Sequence, residues 1–434
     1  MLSDGSALTG VCRRDWERVG DSGIDFKGRL LDLKSAYKQM PVHPDSLWAS
    51  NVHVQSADTA TPLYFTSNAL LFGATASVYS FNRFARAIWR CFTVHLNLLC
   101  TQFYDDYPML EPAQTAVHAR AASTEFLDIL GIIWSAGDKD KEFLSTFEPL
   151  GVSMDLSGMA TRAEIVISNK QSRVDSICAQ IGSVLEQNSL SPPLASELHG
   201  KVQFSQAQVF GRSALPALQE IGHRSHQPGN PYELTPRLRK ALSFLQDHLR
   251  TAPPRKVSAC DPSRNLIIFS DGAFEDGKAT WGFVIFDGAT GAISVAGSTV
   301  PQELVLYWLA TVGEQIITQV ELFAVIAARL HLGIECKSRK VVYYIDNDAA
   351  RDSLIRGFSE SNASLSLIFL FYQLERSSAS FLWFARVASH SNIADGPSRG
   401  EAVQVAKALN AKLVAFTLPP EYLNTLLQFE GVSV

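Results

Sequence analysis

The sequence predicts a multidomain protein of α+β/α/β class, in which an antiparallel sheet with helices leads through a helical segment to a mixed sheet with helices. Three observations predict it. At 434 residues the chain exceeds the size at which one hydrophobic core keeps growing, so two or three domains are expected. Punctuation falls at Ser191-Pro192-Pro193 and in the proline-rich, polar run Gln227 to Pro236, and it recurs at Pro253-Pro254. That sets a boundary near Pro254 to Asp261. Across it the apolar period changes from mostly helical to successive strands and then to alternating helix and strand.

Taken in order, Arg29 to Leu33 is a short apolar strand carrying Asp32, and Ser35 to Met40 changes to a helix-like or turn composition. Thr75 to Leu99 repeats Val78, Phe81, Phe84, Ala85, Ile88, Trp89 and Phe92 at helical spacing, which predicts one long buried helix. It stops before Gln102-Phe103-Tyr104-Asp105-Asp106, and Ser168 to His248 is mostly helical. After the boundary, Asn265 to Ser270, Thr280 to Phe286 and Ala292 to Val300 read as strands separated by Gly/Asp turns. A helix over Gln319 to Leu332, a strand over Lys340 to Ile345, a helix over Ala349 to Arg356 and a strand over Phe381 to Val387 follow. Pro301 to Ile317 interposes a Trp- and Leu-bearing stretch that either packs over the sheet edge, docks the first half, or joins a ligand-binding face. Val403, Ala406, Leu409 and Leu413 predict an amphipathic helix in the tail. The expected domains are 1–160, a helical 161–256, 262–400, and a helical tail 401–434.

Composition narrows the class. Apolar residues make up 46%, ordinary for a globular chain. The six cysteines form no CxxC pair, which fits a reducing intracellular compartment, cytoplasmic or nuclear, better than a disulfide scaffold. The apolar stretches Ala87 to Cys100 and Leu365 to Leu374 are short or interrupted by Arg90 and His95, so no membrane partner is expected. A net charge of -5 argues against coating nucleic acid by bulk charge. From Lys201 to Lys256, however, nine basic residues face three acids, a stretch suited either to a phosphate backbone or to a solvated helical face.

Two carboxylate constellations carry chemistry. Asp32 closes an apolar strand, and Asp105-Asp106 sits at a hairpin turn between Phe103 and Met109. Adjacent acids are costly unless a cation or solvent covers them. Phosphoryl transfer uses two divalent ions about 4 Å apart, clamped by carboxylates, and Mg2+ (or Mn2+) takes such hard oxygen ligands. An Asp-Asp pair alone is more often a solvated turn. The second set is Asp271, Glu321, Asp346 and Asp395, each at the end of an apolar run where an unpaired carboxylate would be penalised.

Around the first set, Leu31-Asp32-Leu33-Lys34-Ser35-Ala36-Tyr37 through Pro41-Val42-His43-Pro44 resembles the first palm motif of reverse transcriptases. The resemblance implies that Asp32 binds metal and that Tyr37 closes off the ribose 2′ position. Leu71-Phe72-Gly73-Ala74 through Phe81-Asn82-Arg83 is similar to the next motif of retrotransposon polymerases. Phe72, Gly73, Phe81 and Arg83 match it, while Leu71, Ala74 and Val78 replace the usual Pro, Leu and Pro. Phe103-Tyr104-Asp105-Asp106 stands where the family has its YxDD box, with Phe103 for the usual Tyr. Leu130-Gly131 followed by Asp138-Lys139-Asp140-Lys141 resembles the motif whose lysine donates a proton to pyrophosphate, which implies Lys139 or Lys141. Leu150-Gly151-Val152 is similar to the primer-grip hairpin or is an ordinary turn. Leu198 to Phe204 with Val209 to Arg212 resembles the thumb and connection of DIRS and Ngaro-type retrotransposons.

The second set has the ribonuclease-H-like order of acids, and Asn392-Ile393-Ala394-Asp395-Gly396-Pro397-Ser398-Arg399 resembles the ending of retrotransposon ribonuclease H domains. His390 then either helps product release or is a surface histidine.

These resemblances span roughly residues 28 to 400. They imply a right-hand polymerase palm with remnant fingers, a helical thumb and a ribonuclease-H-like mixed sheet. They imply RNA-directed DNA polymerase and ribonuclease H activities with two Mg2+ or Mn2+ ions at each centre, held by Asp32, Asp105 and Asp106 and by Asp271, Glu321, Asp346 and Asp395. Implied partners are an RNA template, a DNA primer, an RNA-DNA hybrid, deoxynucleoside triphosphates and other parts of a retroelement polyprotein. Substrate contacts fall on Tyr37, Phe72, Gly73, Arg83, Tyr104 and Lys139. Only thirty-one residues precede Asp32, and Arg13, Arg14, Arg18, Lys27 and Arg29 match no fingers motif, so an N-terminal truncation that impairs polymerisation is expected. The alternative is a decayed or domesticated fragment that binds nucleic acid without catalysis.

Overall fold

Residues 24–428, except 60, 138–139, 210, 228–231 and 259–264, are described by a computed structural model of the chain. The fold is mixed α/β, and the chain divides into two units, residues 1–168 with 256–260 and residues 169–255 with 261–434.

In the first unit β1 (Phe26–Asp32), β2 (Asn51–Gln55), β3 (Pro62–Thr66), α1 (Thr75–Arg90), β4 (Asp106–Pro112) and α2 (Ala116–Ile129) come first. β5 (Thr146–Phe147), β6 (Val152–Asp155), the one-turn α3 (Met159–Arg162) and β7 (Glu164–Asn169) follow. β1 and β4 pair antiparallel with Asp32 opposite Asp106. Leu31, Leu33, Phe81, Ala85, Ile88, Phe92, Tyr107, Met109 and Leu127 bury together between this ribbon and the two helices. The helix expected to reach Leu99 ends earlier. After Arg90 it widens into a π turn over Cys91–His95, and Asn97 takes φ 52°. The cause lies in the next segment, because the chain must reverse for Cys100 to bridge Met109 on the free edge of β4, and Asn tolerates the left-handed region well.

The second unit begins with four helices, α4 (Gln171–Gln187), α5 (Pro192–Val209), α6 (Leu215–Ser225) and α7 (Pro236–Thr251). Val174, Ile177, Ile181 and Val184 recur at helical spacing on α4 and meet Leu198, Val202, Leu218, Ile221, Leu242, Leu245 and Leu249. Thr235 caps α7 by accepting the Leu238 N–H at 3.2 Å, with Pro236 at the first helical position. The strand β8 (Arg255–Ser258) completes a four-stranded sheet in the order β5-β6-β7-β8. Thus β7 lies inside, and β8 begins within, the stretch 161–256 that was expected to be helical. Both are short, and neither shows enough alternation to reveal itself by period.

Next come β9 (Leu266–Glu275), β10 (Lys278–Asp287), β11 (Ile293–Thr299), α8 (Gln302–Thr311), α9 (Ile317–Leu332), β12 (Lys340–Ile345) and α10 (Asp348–Arg356). α11 (Asn362–Ser377), β13 (Phe381–Arg386), the one-turn α12 (Asp395–Ser398), α13 (Ala402–Ala408), β14 (Lys412–Leu413) and α14 (Pro420–Leu427) complete the chain. The six-stranded sheet has the order β13-β12-β9-β10-β11-β14. β9, β10 and β11 are antiparallel neighbours, whereas β12 runs parallel to β9 and to β13. On one face Leu266, Ile268, Trp281, Phe283 and Ile285 pack against α9, with Leu367, Ile368 and Phe371 of α11 in the same core. On the other, Val284 and Val295 pack against Ala402 and Ala406 of α13.

The segment Ile317–Cys336 is apolar enough by composition to cross a membrane, but 67% of its apolar window is buried inside the protein. A helix apolar all round is a core helix when other elements cover it. The Trp-bearing stretch before it forms α8, whose Leu304, Val305 and Trp308 enter this same core.

The tail departs from a single amphipathic helix. It forms α13, then β14 pairing parallel with β11, then α14, with Leu418 and Leu426 in the main core. Asn410 at φ 49° ends the helical run and turns the chain onto the sheet edge. The first strand of this sheet also outruns its expected end at Ser270, because Gly272 and Ala273 stay paired with Trp281 and Thr280.

Candidate active site

The second acid set is built on the place where two parallel strands part. The β9–β12 ladder ends with Phe269 opposite Tyr344. Two residues further on stand Asp271 and Asp346, and Glu321 comes in from α9. One carboxylate oxygen from each of the three lies within 4.8 Å of the others. Asp271 is therefore inside β9 rather than at its end, and it is buried where β9 runs on past the end of β12.

Glycines permit the approach. A Cβ on Gly272 would stand 2.7 Å from the Glu321 amide nitrogen, so only a bare backbone lets α9 settle there. On the opposite face Asp271 pairs with Gly282, which pairs with Gly297. Cβ atoms on those two glycines would meet the Pro397–Ser398 backbone at 2.4 Å and 2.1 Å. This row seats α12 directly on the sheet. It delivers Ser398, whose buried hydroxyl donates to Asp271 Oδ2, and Asn392, whose Nδ2 donates to Asp271 Oδ1 at 3.2 Å.

Electrostatics follow from the burial. Burial pushes the Asp271 carboxyl up to about 6, the Ser398 hydrogen bond opposing and Asp346 and Asp395 adding. Burial also pushes Glu321 up to about 10, reinforced by Asp271 and Asp346, while the Gly272 amide hydrogen-bonds its carboxyl. Glu321 Oε2 and Asp346 Oδ1 are buried and receive no donor while both acids are ionised, whereas a protonated Glu321 hydrogen-bonds Asp346. Three converging acids with two orphaned oxygens fit a divalent cation, whose charge would reverse the cost of ionising them.

Asp395 is not within the three-acid cluster. It lies close enough to raise Asp271, but its Oδ1 accepts Arg399 Nε at 2.9 Å, and Arg399 also reaches Glu275 Oε1 at 2.5 Å. His390 falls in the turn Ser389–Ser391 and is exposed.

The first set has a different construction. Phe103 and Asp106 exchange backbone hydrogen bonds of 2.9 and 3.0 Å, so Tyr104 and Asp105 form a two-residue hairpin turn. Tyr104 takes φ 52°, a conformation that costs a side-chain-bearing residue free energy. The Asp105 carbonyl accepts the Leu33 N–H at 3.1 Å, which ties the turn to the end of β1. Asp32 and Asp106 face each other across the ladder, and Asp32 Oδ2 accepts the Ser135 hydroxyl at 2.6 Å. All three acids are half-buried.

Tyr37 stacks on Phe81 at 4.7 Å and meets the exposed Phe72 edge-on at 5.2 Å. Burial, with Tyr104 and Asp105 nearby, raises the Tyr37 hydroxyl above its ordinary value, which places Tyr37 beside the turn. Gly73 has φ 89°, and Arg83 is exposed on α1. Lys139 lies outside the described residues. Its neighbour Asp140 accepts Arg29 at 2.7 Å and Arg120 at 2.6 Å, an ion-pair clamp between β1 and α2.

Sequence reasoning quoted Asn392 and Ser398 only as part of the closing motif and gave neither them nor the three glycines a role at the site. The signal available was the spacing of Gly282 and Gly297 within two apolar strands, which marks a close backbone approach.

The chain is similar to solved reverse transcriptase structures. Against a foamy viral protease-reverse transcriptase in complex with RNA/DNA hybrid it has 14% identity and a TM-score of 0.42, covering 84% of this chain and 44% of that one. Against the dRH form in complex with ds DNA the values are 15%, 0.40, 84% and 57%. Against the protein in complex with dsDNA they are 16%, 0.41, 84% and 68%. The chain thus spans less than half the length of the first of these. No protein-family model and no curated protein matches it.

Proposed function

We propose that the chain is a retroelement reverse transcriptase–ribonuclease H of DIRS/Ngaro-like type, acting inside the cell on RNA-DNA hybrids. Residues 1–160 are its palm, 161–256 its thumb and connection, and 262–400 with the packed tail its ribonuclease-H-like domain. The observation that carries the reading is the Asp271–Glu321–Asp346 cluster with its two orphaned buried oxygens. The order of elements supports it: three antiparallel strands, the Glu-bearing helix and the Asp346 strand follow as the resemblance implies.

At this centre Asp271, Glu321 and Asp346 would hold two Mg2+ or Mn2+ ions, with Asp395 as the fourth acid. When bound, such ions stabilise charge on a phosphodiester and make water a nucleophile at neutral pH. The protein's own part is orientation. Asn392 and Ser398 fix both oxygens of Asp271, Gly272 holds Glu321, and the half-buried Asp346 faces them. Arg399 holds Asp395 at the rim, where it would complete the acid set.

RNA-directed DNA synthesis is assigned to Asp32, Asp105 and Asp106, again with Mg2+ or Mn2+, with Tyr37, Phe72, Gly73, Arg83, Tyr104 and Lys139 toward template, primer and deoxynucleoside triphosphate. A second reading for this centre, nucleic-acid binding without polymerisation, is favoured by one observation. Among the described residues only the second cluster gathers three acid ligand atoms within 4.8 Å.

The test is the full chain with labelled RNA presented alone, in an RNA-DNA hybrid, or as primed template with deoxynucleotides and Mg2+. The expected result is scission of RNA in the hybrid only, with weak or no primer extension. Equal scission of free RNA, or none of the hybrid, would sink the first assignment. Robust extension abolished in Asp106→Asn would restore polymerisation to the first centre.

A further inference from the structure

Asp395 is the acid of the second set that the three-acid cluster does not contain, and the chain gives it another partner. It opens the one-turn α12, and Arg399 follows four residues later, so the two side chains lie on the same side of that turn. Arg399 Nε donates to Asp395 Oδ1 at 2.9 Å, while a terminal nitrogen of the same guanidinium donates to Glu275 Oε1 at 2.5 Å.

The sheet places Glu275 for this. Pairing of β9 with β10 runs unbroken from Leu266 opposite Asp287 to Glu275 opposite Lys278, so Glu275 stands four residues beyond Asp271 on the same face. That face receives α12 through Gly282 and Gly297. Asp276 and Gly277, at φ 50° and 74°, close the hairpin directly after Glu275. The guanidinium is therefore held from two elements, the hairpin end and α12. Each ion pair is about half exposed, and an exposed pair alone contributes little. A planar fork that engages two fixed carboxylates is held more firmly than either pair would be by itself.

Both groups lie close enough to the cluster to act on Asp271, Asp395 raising its carboxyl and Arg399 lowering it. A carboxylate paired with a guanidinium has much of its charge already compensated. A divalent cation that called on Asp395 would have to displace that partner.

Resting on the ribonuclease H reading of this centre, we infer that Arg399 is a positioning residue. Bridged to Glu275, it holds Asp395 out of the three-acid cluster in the substrate-free chain and so weakens cation binding there. Guanidinium and cation compete for one carboxylate, and the Asp395–Arg399 pair opens when the cation takes it.

Mn2+ binding to the full, substrate-free chain, followed by the electron paramagnetic resonance of the free ion, tests this without a cleavage assay. Arg399→Gln should tighten binding about fivefold, the scale of one exposed charge pair. Arg399→Lys, which keeps the charge but cannot span both carboxylates, should fall between that variant and the native chain. In an Asp395→Asn background the gain from Arg399→Gln should drop below about twofold, because the residue acts through that carboxylate. Unchanged or weaker binding in Arg399→Gln, or a full gain that persists with Asp395→Asn, would overturn the inference. A folding defect would loosen binding, so tighter binding cannot arise from damage. Failure of the underlying reading has a separate signature: Mn2+ binding that Asp346→Asn leaves unchanged would remove the cation from the cluster, and the inference with it.

Discussion

Gly272 lies directly beneath the backbone of Glu321, so that a Cβ on the glycine would stand 2.7 Å from the Glu321 amide nitrogen and 2.8 Å from the Val320 carbonyl carbon. The main chain of β9 and that of α9 therefore touch at the acid cluster, with no side chain between them. Gly272→Ala should cost about 1–3 kcal/mol, the range for overpacking a filled interior, and should weaken Mg2+ binding by moving Glu321. Urea unfolding with a parallel Mg2+ titration measures both. Unchanged values for both would mean that the helix does not sit on this glycine.

Cation and pH should be linked. Asp271 and Glu321 are acids whose carboxyls are pushed up in the folded chain, to about 6 and about 10. Their contribution to stability is complete below their unfolded values near pH 4 and is lost as pH rises through 6 and on toward 10. For Asp271 the rise of about two units is worth about 3 kcal/mol. In EDTA the unfolding temperature should therefore fall between pH 5 and pH 9. Mg2+ should raise it more at pH 9 than at pH 5, and an equal effect at both would contradict the linkage.

Ser398 favours the ionised form of Asp271 through its hydrogen bond. Ser398→Ala should push that carboxyl above about 6. Mg2+ affinity at pH 6 should drop by roughly tenfold, or about 1.4 kcal/mol, with most of the loss recovered at pH 8.5. A pH-independent loss would point to a packing defect instead.

How much of this was legible in the sequence differs by element. The strand expected over Lys340 to Ile345 is β12 with the same ends, because a β-branched and aromatic run is bounded by charge on one side and an Asx cap on the other. Asn347 does cap α10, accepting the Ala350 N–H at 2.9 Å. The end of β9 was not legible, since Asp271 and Gly272 look like a turn and stay in the sheet only because the row Asp271, Gly282, Gly297 receives α12. The four acids could be picked out singly, but Asp395 lies outside the cluster of the other three and pairs with Arg399, one helical turn on, which also reaches Glu275, 124 residues away in sequence. The tail misled because its apolar spacing serves first a helix and then an edge strand.

Arg329 and Glu375 form an ion pair at 2.6 Å, buried on both sides, that ties α9 to α11. Arg329 also donates to the carbonyls of Gly333 and Leu374. Arg329→Met should destabilise the second unit by about 3–5 kcal/mol, because Glu375 is left charged and buried. The double change with Glu375→Leu should recover much of that loss in chemical unfolding. If the single variant costs under about 1 kcal/mol, on the scale of an exposed pair, the pair is not buried as described.

In the proposed function, Asp271, Glu321 and Asp346 form a cation-dependent centre that cuts RNA in a hybrid. The most direct measurement is the single-turnover cleavage rate of a labelled RNA-DNA hybrid by the native chain and by Asp346→Asn, each with Mg2+ and with EDTA. The expected result is cleavage by the native chain in Mg2+ alone, reduced by at least a hundredfold in the folded variant, as for loss of a group that stabilises transition-state charge. Cleavage that persists in EDTA, or a variant as fast as the native chain, would contradict it.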